Sequence, residues 1–521
     1  MLRPLQICCV LCCCGAVGLA SAQKAGAASH PATPADTLYQ QGLAALQKRD
    51  YPAARTAFEK LVHLAPRNAN AHYQLGRTLS FSAPLGEAIA EMRRAVELAP
   101  KRADLHDDLG SLLARVPKNE QAAAEFSQAL LLDPTRAVAH LHLGVIRWQQ
   151  KLFPDGEEHL RKAVALAPEV SLNHYYLGRV LAEQNAADPN AVRELQTAAR
   201  LDPNFAEGLN QLGLLQQHTG DADGAVDTFQ KLVRLKPDDA DAHNNLGFAL
   251  IQTGHAESSI PEFQTAMRLR PDDVSYRENL GGAYLQKADF DAAMKEFQTA
   301  LTTAPNDATL HYDLGLAFKL KDQLAEAVTE FRKAAVLDPS QADIRYTLGV
   351  TLWQQGNFAD AETQLREATN ANPNYAEAYY TLGTVLKQQT KLPESAAALR
   401  EAIRLQPDFA GAHTTLAAVL RETGDAAGAA AESKAAAEIS KSVNSLQGAT
   451  FATNSGKRLL QAGDLDGAIG QFRSAIQLAP EYAAAHQQLG LALQRKGEKD
   501  EAQRELHKAG ELDPRLAAPA P

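Results

Sequence analysis

A period of 34 residues runs through almost the whole of this 521-residue chain and constrains its fold more than any other feature. Each period carries a glycine, usually after a leucine, and a proline that follows the glycine by 24 residues in nearly every copy. The glycines are Gly42, Gly76, Gly110, Gly144, Gly178, Gly213, Gly247, Gly281, Gly315, Gly349, Gly383, Gly456 and Gly490. Fourteen copies in register predict an array of similar small units.

A single period predicts two helices. In residues 308–341, the apolar residues between Leu310 and Phe318 recur at helical spacing, and the polar residues 321–323 interrupt them. A second helical face follows over 327–335, and Pro339 ends it because proline has no N–H with which to continue a helix. Aromatic residues make up only 6% of the chain, so we expect many small contacts built from alanine and leucine. The sequence therefore predicts an all-α fold without strands.

The glycine, alanine and proline pattern resembles that of the tetratricopeptide repeat (TPR) family. The resemblance covers residues 35–516 and implies a right-handed superhelical α-solenoid of helix-turn-helix repeats. Repeats 1–12 occupy residues 35–443 and repeats 13–14 occupy 449–516. Five extra residues, 444–448, separate these two groups, and 517–521 form a short tail.

Residues 1–22 have the layout of a secretory signal peptide. One positive charge, Arg3, precedes an apolar run from Leu5 to Leu19, which is too short to span a membrane permanently. The sequence Ala20-Ser21-Ala22 predicts cleavage after Ala22, so we expect an exported protein, periplasmic or secreted, with no membrane span after cleavage.

All five cysteines lie within the first fourteen residues and would leave with the signal peptide. The mature chain would then hold no disulfide, thiolate nucleophile or cysteine-bound metal. Lipidation is the alternative, but no small residue precedes Cys12, Cys13 or Cys14, as a lipoprotein signal would usually require. Residues 23–34 are small, polar and proline-containing, so we interpret them as a flexible lead-in.

Charge and motifs argue against several classes of function. The chain has 52 basic and 62 acidic residues, a net charge of −10, which does not favour a nucleic-acid partner. It has no phosphate-binding loop, dinucleotide fingerprint or nucleophile elbow, so we predict no catalytic residue and no cofactor. We interpret two acidic pairs, Asp238-Asp239 and Asp272-Asp273, as helix caps, because each follows a repeat-end proline.

Eight of the fifteen histidines occupy the same place in their repeats. They are His72, His106, His140, His174, His243, His311, His413 and His486. Helices pack about 8–10 Å apart, too far for histidines of successive repeats to share one metal ion, so we predict no metal site in this row. We interpret these histidines as half-buried residues between helices.

Three hypotheses of function come from different classes. The first is a non-catalytic scaffold that binds a protein client, as a peptide or a helix, in the concave groove that the resemblance implies. The second is a component of bacterial polysaccharide or exopolysaccharide assembly, similar to known TPR scaffolds, whose partners would be polysaccharide or export machinery. The third is a relative of O-linked N-acetylglucosamine transferases, whose catalytic region follows the repeats. Here five residues follow residue 516, and the asparagines Asn244, Asn245 and Asn279 look isolated, so the first hypothesis is preferred.

If there is a preferred groove, the sequence places it in repeats 9–11. In TPR proteins the fifth and twelfth places of the first helix commonly touch ligand. These places hold Tyr312, Lys319, Tyr346, Trp353, Tyr380 and Lys387. Aromatic residues flanked by cations would suit an apolar segment with acidic or carboxylate groups, or sugar rings. The competing interpretation is that the tyrosines simply pack between adjacent helices.

Repeat 12 departs from the pattern. It has Ala417 for the glycine, Ser433 for the large apolar residue and Lys441 for the proline, and Ser455 then replaces a leucine in repeat 13. We predict an overlong helix over 426–441, a joint at 444–448, weaker or rotated stacking beyond it, and first proteolysis within 441–456. In repeat 7, Pro261 lies several residues inside the second helix and predicts a frayed or bent start there.

Overall fold

A computed structural model describes residues 33–116 and 118–516, and in these residues the chain is helical with no strand. The all-α prediction is confirmed. The chain divides into two compact units, residues 1–287 and 288–521. The predicted signal peptide, most of the lead-in and the tail lie outside the described residues. Within the described ranges, no helix combines the length and apolarity needed to span a membrane.

The described part of the first unit contains fifteen helices, which alternate as first and second helices of successive repeats. They are α1 (Pro34–Gln47), α2 (Tyr51–Leu64), α3 (Ala69–Ser82), α4 (Leu85–Leu98), α5 (Ala103–Arg115), α6 (Asn119–Leu132), α7 (Ala137–Gln149), α8 (Phe153–Leu166), α9 (Ser171–Gln184), α10 (Pro189–Leu201), α11 (Ala206–His218), α12 (Ala222–Leu235), α13 (Ala240–Gln252), α14 (Ala256–Leu269) and α15 (Val274–Gln286). Within this unit, each helix packs against the next one along the chain.

The second unit continues the same alternation until α24. Its helices are α16 (Phe290–Thr303), α17 (Ala308–Leu320), α18 (Leu324–Leu337), α19 (Ala342–Gln354), α20 (Phe358–Ala371), α21 (Ala376–Gln388), α22 (Leu392–Leu405), α23 (Ala410–Glu422), α24 (Ala426–Gln461), α25 (Leu465–Leu478), α26 (Ala483–Lys496) and α27 (Lys499–Leu512), followed by a 3₁₀ turn at Pro514–Leu516.

The glycine at the eighth place of the first helix lets the two helices of a repeat approach closely. In repeat 9, a Cβ built on Gly315 of α17 would lie 2.6 Å from ring carbons of Phe331 on α18. Phe331 is fully buried and belongs to the apolar core formed with the following repeats. A side chain at Gly315 would force the ring away, so the spacing of glycine and aromatic residue sets the distance between the helices.

The turn between the two helices of a repeat uses a left-handed residue at the fifteenth place. Glycine fills it in six repeats, for example Gly356 with φ +79°. Other residues fill it in five repeats, for example Asp322 with φ +61° and Thr390 with φ +59°. A residue with a Cβ is strained in this conformation, and a β-branched residue such as Thr390 more than most.

The predicted caps are confirmed at two acidic pairs. The Asp239 carboxylate accepts hydrogen bonds from the N–H groups of Asp241 and Ala242, and that of Asp273 accepts from Ser275. Of the frayed or bent start predicted for the helix containing Pro261, the frayed alternative is wrong, and the bend stays a prediction. That helix, α14, begins at Ala256 and contains the proline, so one missing N–H in the first turns is tolerated.

The overlong helix predicted in repeat 12 is confirmed, but its predicted end at Lys441 is wrong. Helix α24 continues to Gln461 and joins the second helix of repeat 12 to the first helix of repeat 13. Residues 444–448, predicted as a joint, are helical. The physical reason is that no proline follows Lys441 within the helix. Gly448 and Gly456 stay helical, and the first left-handed glycine is Gly463, which has φ +86°.

Candidate ligand-binding groove

The three fifth-place tyrosines lie on first helices of consecutive repeats, in α17, α19 and α21. Each is half-buried, and each packs its ring on another aromatic ring. The pairs are Tyr312–Phe331 at 5.5 Å, Tyr346–Tyr375 at 5.0 Å and Tyr380–Phe409 at 4.7 Å between centroids. The Tyr312 hydroxyl also lies 3.2 Å from Oγ1 of Thr347 in the next repeat. The tyrosines therefore pack between helices and keep a partly exposed edge.

The three twelfth-place residues lie on the same helices but have different partners. Trp353 is half-buried and donates its Nε1–H to Oε1 of Gln388 at 2.7 Å. The Lys387 ammonium lies 3.2 Å from Oε1 of Glu422, so this cation is neutralised by the next repeat. Lys319 has no carboxylate within ion-pair distance in the part of the chain that the structure describes.

Lys319 stands out because it is a partly desolvated cation without a counter-ion among the described residues. Burial lowers the pKa of Lys319, since taking an ammonium out of water disfavours its charged form. Its neighbour Leu320 is 56% exposed, which is high for a leucine. An anion bound here would compensate the desolvated charge beside an exposed apolar side chain.

The histidine row lies between helices, as the sequence predicts, but its side chains are buried and not half-buried. In repeat 9, Nδ1 of His311 lies 2.6 Å from Oε2 of Glu330 on the second helix. Its Nε2 lies 3.0 Å from the carbonyl oxygen of Pro305, which ends the previous repeat. The same contacts recur at His72, His106, His174, His243, His413 and His486. Each histidine ties two helices to the preceding repeat.

Repeat 4 replaces the carboxylate of this contact with a second histidine. Nδ1 of His140 lies 2.9 Å from Nδ1 of His159, and Nε2 of His140 faces the carbonyl oxygen of Pro134 at 3.2 Å. The carbonyl accepts a hydrogen bond from Nε2–H, so Nδ1 of neutral His140 accepts a hydrogen bond from Nδ1–H of His159. Burial lowers the pKa of both His140 and His159. No group of three metal-ligating residues occurs in the described ranges.

A serine, a histidine and an aspartate meet in repeats 3 and 4, but not with the geometry of a catalytic triad. Ser111 Oγ lies 3.4 Å and Asp107 Oδ1 lies 3.2 Å from the same atom, Nδ1 of His142. A triad needs the serine at the other ring nitrogen. Burial opposes ionisation of Asp107, but His142 and Arg136 outweigh it and hold the pKa of Asp107 below its usual value. The cluster is therefore a structural ion network.

The asparagines that look isolated in the sequence are paired in the structure. Asn279 donates its side-chain amide to Asn244 at 2.8 Å, and Asn245 donates to Asn210 at 3.2 Å. The description of these residues as isolated is wrong, because each finds its partner 35 residues away on the first helix of a neighbouring repeat. Phe248, 46% exposed, lies one turn along α13 from Asn244.

A second aromatic cluster, in repeats 4 to 6, is missing from the sequence prediction. The Arg179 guanidinium lies over the ring of Trp148 at 4.6 Å and over that of Tyr175 at 5.8 Å. Tyr175 packs edge-to-face on Phe205, with centroids 4.8 Å apart. The signal was available, since Trp148 occupies a twelfth place and Tyr175 the fifth place of the next repeat. Tyr175 is buried, however, so this cluster offers less open surface than repeats 9–11.

This chain is a helical-repeat protein. Most of its repeats share a pair of helices, a glycine at the eighth place of the first helix and a proline after the second helix. A family model described as tetratricopeptide repeat matches residues 39–103, 108–171, 244–308, 283–342 and 380–443, more than half of the chain. A second tetratricopeptide repeat model matches 320–385, and a TPR repeat model matches 218–254 and 456–497. The chain belongs to the tetratricopeptide repeat family, and the predicted resemblance is confirmed.

Similar solved structures cover about a third of this chain. YrrB, described as a TPR protein with an unusual peptide-binding site, is 25% identical over 36% of this chain and 95% of its own, with a TM-score of 0.33. MamA is 24% identical over 32% and 95%, with a TM-score of 0.30. A MamA RS-1 ArsTM double mutant is 21% identical over 32% and 94%, also with a TM-score of 0.30. No curated protein matches the chain.

Proposed function

We propose that this protein is an exported, non-catalytic scaffold that binds a segment of a client protein on the first helices of repeats 9–11. TPR proteins bind protein partners, and their fold is typically a non-catalytic scaffold. Export rests on the predicted signal peptide, with cleavage after Ala22. Amino-terminal sequencing of secreted or periplasmic material should therefore begin at Gln23. A chain that keeps residues 1–22 would contradict the export step.

The observation that carries the binding proposal is the contrast between Lys319 and Lys387. Both occupy the twelfth place of a first helix, but Lys387 is paired with Glu422, whereas Lys319 has no ion pair within residues 33–116 and 118–516. Partial burial of Lys319 without a counter-ion costs free energy that a carboxylate on the client would offset. The half-buried Trp353 occupies the equivalent place on the first helix of the next repeat. The proposed ligand is therefore an apolar segment with an acidic side chain or a terminal carboxylate.

The binding test starts with a pull-down of client from periplasmic extract by the mature chain. Replacing Trp353 and Tyr346 by alanine should weaken binding of that client at least tenfold, since truncating an aromatic anchor costs about 2 kcal/mol or more. Trp148→Ala is the matched control, because Trp148 also occupies a twelfth place but lies outside repeats 9–11. Circular dichroism checks the fold of each variant. Unchanged binding in the double variant would remove this site.

A second comparison tests the charge in the proposal. Lys319→Met should weaken client binding and flatten its salt dependence, whereas Lys387→Met should have a smaller effect because Lys387 already has an intramolecular partner. Equal effects of the two variants would contradict the role of Lys319. If polysaccharide or export components replace protein in the pull-down, the alternative function in exopolysaccharide assembly is favoured, since sugar rings also stack on aromatic faces.

A further inference from the structure

Stacking of one repeat on the next buries the third residue of each first helix. In repeat 8, Tyr276 packs against Ala240 and Ala266 of repeat 7, and in repeat 14, Ala485 packs against Ala475 of repeat 13. The third place is buried in repeats 2–12 and 14, at Ala71, Leu105, Ala139, Asn173, Gly208, Ala242, Tyr276, Leu310, Ile344, Ala378, Ala412 and Ala485. Burial of the third residue therefore indicates that a preceding repeat covers the first helix.

Repeat 13 breaks this rule. Its third residue is Phe451 on α24, and this side chain is 71% exposed. The register of the repeat is nevertheless intact, because a Cβ on Gly456 would meet the ring of Phe472 as at other eighth places. The leading face of repeat 13, which should receive a preceding repeat, is thus uncovered. An exposed phenylalanine at an otherwise buried place marks a missing partner.

The trailing face of repeat 12, the side that the next repeat covers in a regular junction, is uncovered as well. Ser433 occupies the place where the large apolar residue is buried in other repeats, such as Phe331 or Leu365, and Ser433 is exposed. Ala437, one turn further along α24, is also exposed. In a regular junction the chain turns back at the proline, and the two faces then cover each other. Lys441 replaces that proline, so α24 continues and keeps the faces about 27 Å apart.

We propose that two copies of this chain pair through α24 in antiparallel orientation, so that repeat 13 of each copy stacks on repeat 12 of the other. The occupant follows from complementarity. The leading face of a repeat fits the trailing face of a repeat, and both open faces lie on α24. Residue pairs 437/451 and 433/455 are each symmetric about residue 444, as a two-fold axis at Asn444 requires.

The chemistry of α24 near the proposed axis fits such a contact. Between Lys441 and Lys457 the helix carries no charged side chain, so two copies can approach without like-charge repulsion. Val443, 49% exposed, flanks the helix face that carries Asn444 and Phe451, and would be buried in part together with Phe451. In this exchange of repeats between copies, repeats 12 and 13 would meet through the same kind of interface that joins consecutive repeats elsewhere in the chain.

Light scattering after size-exclusion chromatography of the chain from Gln23 tests the proposal. The wild type should have twice the mass of one chain, and Phe451→Asp should halve it, because a buried carboxylate would disrupt the contact. Val336→Asp is the control, since Val336 is 77% exposed in a regular repeat and should leave the mass unchanged. A monomeric wild type, or a dimer unaffected by Phe451→Asp, would overturn the proposal. Circular dichroism confirms that each variant is folded.

A cysteine placed at the axis tests the orientation. The chain from Gln23 contains no cysteine, so Asn444→Cys introduces a unique thiol, and a short bis-maleimide should link two copies. Val336→Cys should remain unlinked. A dimer that Asn444→Cys does not cross-link would refute the antiparallel arrangement. The dimer should also shield 441–456 from protease, whereas the Phe451→Asp monomer should be cut there first. Equal protection of both forms would count against the proposal.

Discussion

Two glycine-to-alanine substitutions should have opposite effects, although both lie inside first helices. A Cβ added at Gly282 on α15 would meet no described atom within 4 Å apart from its chain neighbours and the backbone of its own helix. A Cβ added at Gly315 on α17 would lie 2.6 Å from ring carbons of Phe331. Alanine favours a helix over glycine by about 1 kcal/mol, so Gly282→Ala should stabilise its helix by about 0.5–1 kcal/mol. The difference between the two sites is therefore steric.

The magnitude at Gly315 follows from the same distance. Carbon atoms in contact lie about 3.5–4.0 Å apart, so the Phe331 ring would have to move by roughly 1 Å. Overpacking of a core costs about 1–3 kcal/mol, which exceeds the gain in helix propensity and leaves a net destabilisation of about 1 kcal/mol. Repeat 12 supports this reasoning, because Ala417 occupies the glycine place where the large apolar residue is replaced by Ser433.

Hydrogen exchange measured by mass spectrometry is the appropriate assay, since the repeats of an array need not unfold together. Peptides from α17 and α18 should exchange about fivefold faster in Gly315→Ala than in the wild type. Peptides from α15 should exchange about two- to fivefold more slowly in Gly282→Ala. Equal or greater protection in Gly315→Ala would refute the steric account of the place-eight glycine.

Two further perturbations test the turn and the histidine pair. Thr390→Gly should stabilise the turn between α21 and α22 by about 1 kcal/mol, measured by exchange, because Thr390 is held at φ +59°; no gain would show that the turn is unstrained. Burial lowers the pKa of His140 and His159 in the folded protein, so these histidines bind protons more readily when repeat 4 is unfolded. The stability of the folded repeat 4 is therefore fully present above about pH 6.5 and should fall as the pH decreases. His159→Glu restores the histidine–glutamate pair of the other repeats and should remove much of this loss of stability, measured by hydrogen exchange of α7 and α8. A pH profile of exchange that is unchanged in this variant would contradict the role of the histidine pair.

The helix pairs could be predicted from the sequence because the period fixes where apolar faces begin and where proline ends them. The end of α24 could not be predicted in the same way. Lys441 removes the stop, but whether the chain then turns back depends on contacts between the two faces, and Ser433 and Ser455 offer few of these. Helix propensity is a weak guide when packing decides between two arrangements. The sequence therefore predicted an anomaly at the correct place with the wrong boundary.

The partners of the candidate site follow a rule that emerges from the structure. A side chain on a first helix pairs with the residue 35 positions later, one place further along the next repeat, as in Tyr312–Thr347 and Trp353–Gln388. With this offset, the sequence would have assigned Glu422 to Lys387 and the uncharged Gln354 to Lys319. Periodicity identifies equivalent places, but it does not reveal which of them touch across the stack.

The offset of 35 residues also has a consequence for folding kinetics. Contacts such as Trp353–Gln388, and the histidine ties such as His311 to Glu330, connect residues that are close in sequence. Chains dominated by such local contacts fold quickly, because little loop entropy is lost before a contact forms. Each repeat needs only the next one to complete its interface, so folding can proceed along the chain while later repeats are still emerging from the ribosome or a membrane channel.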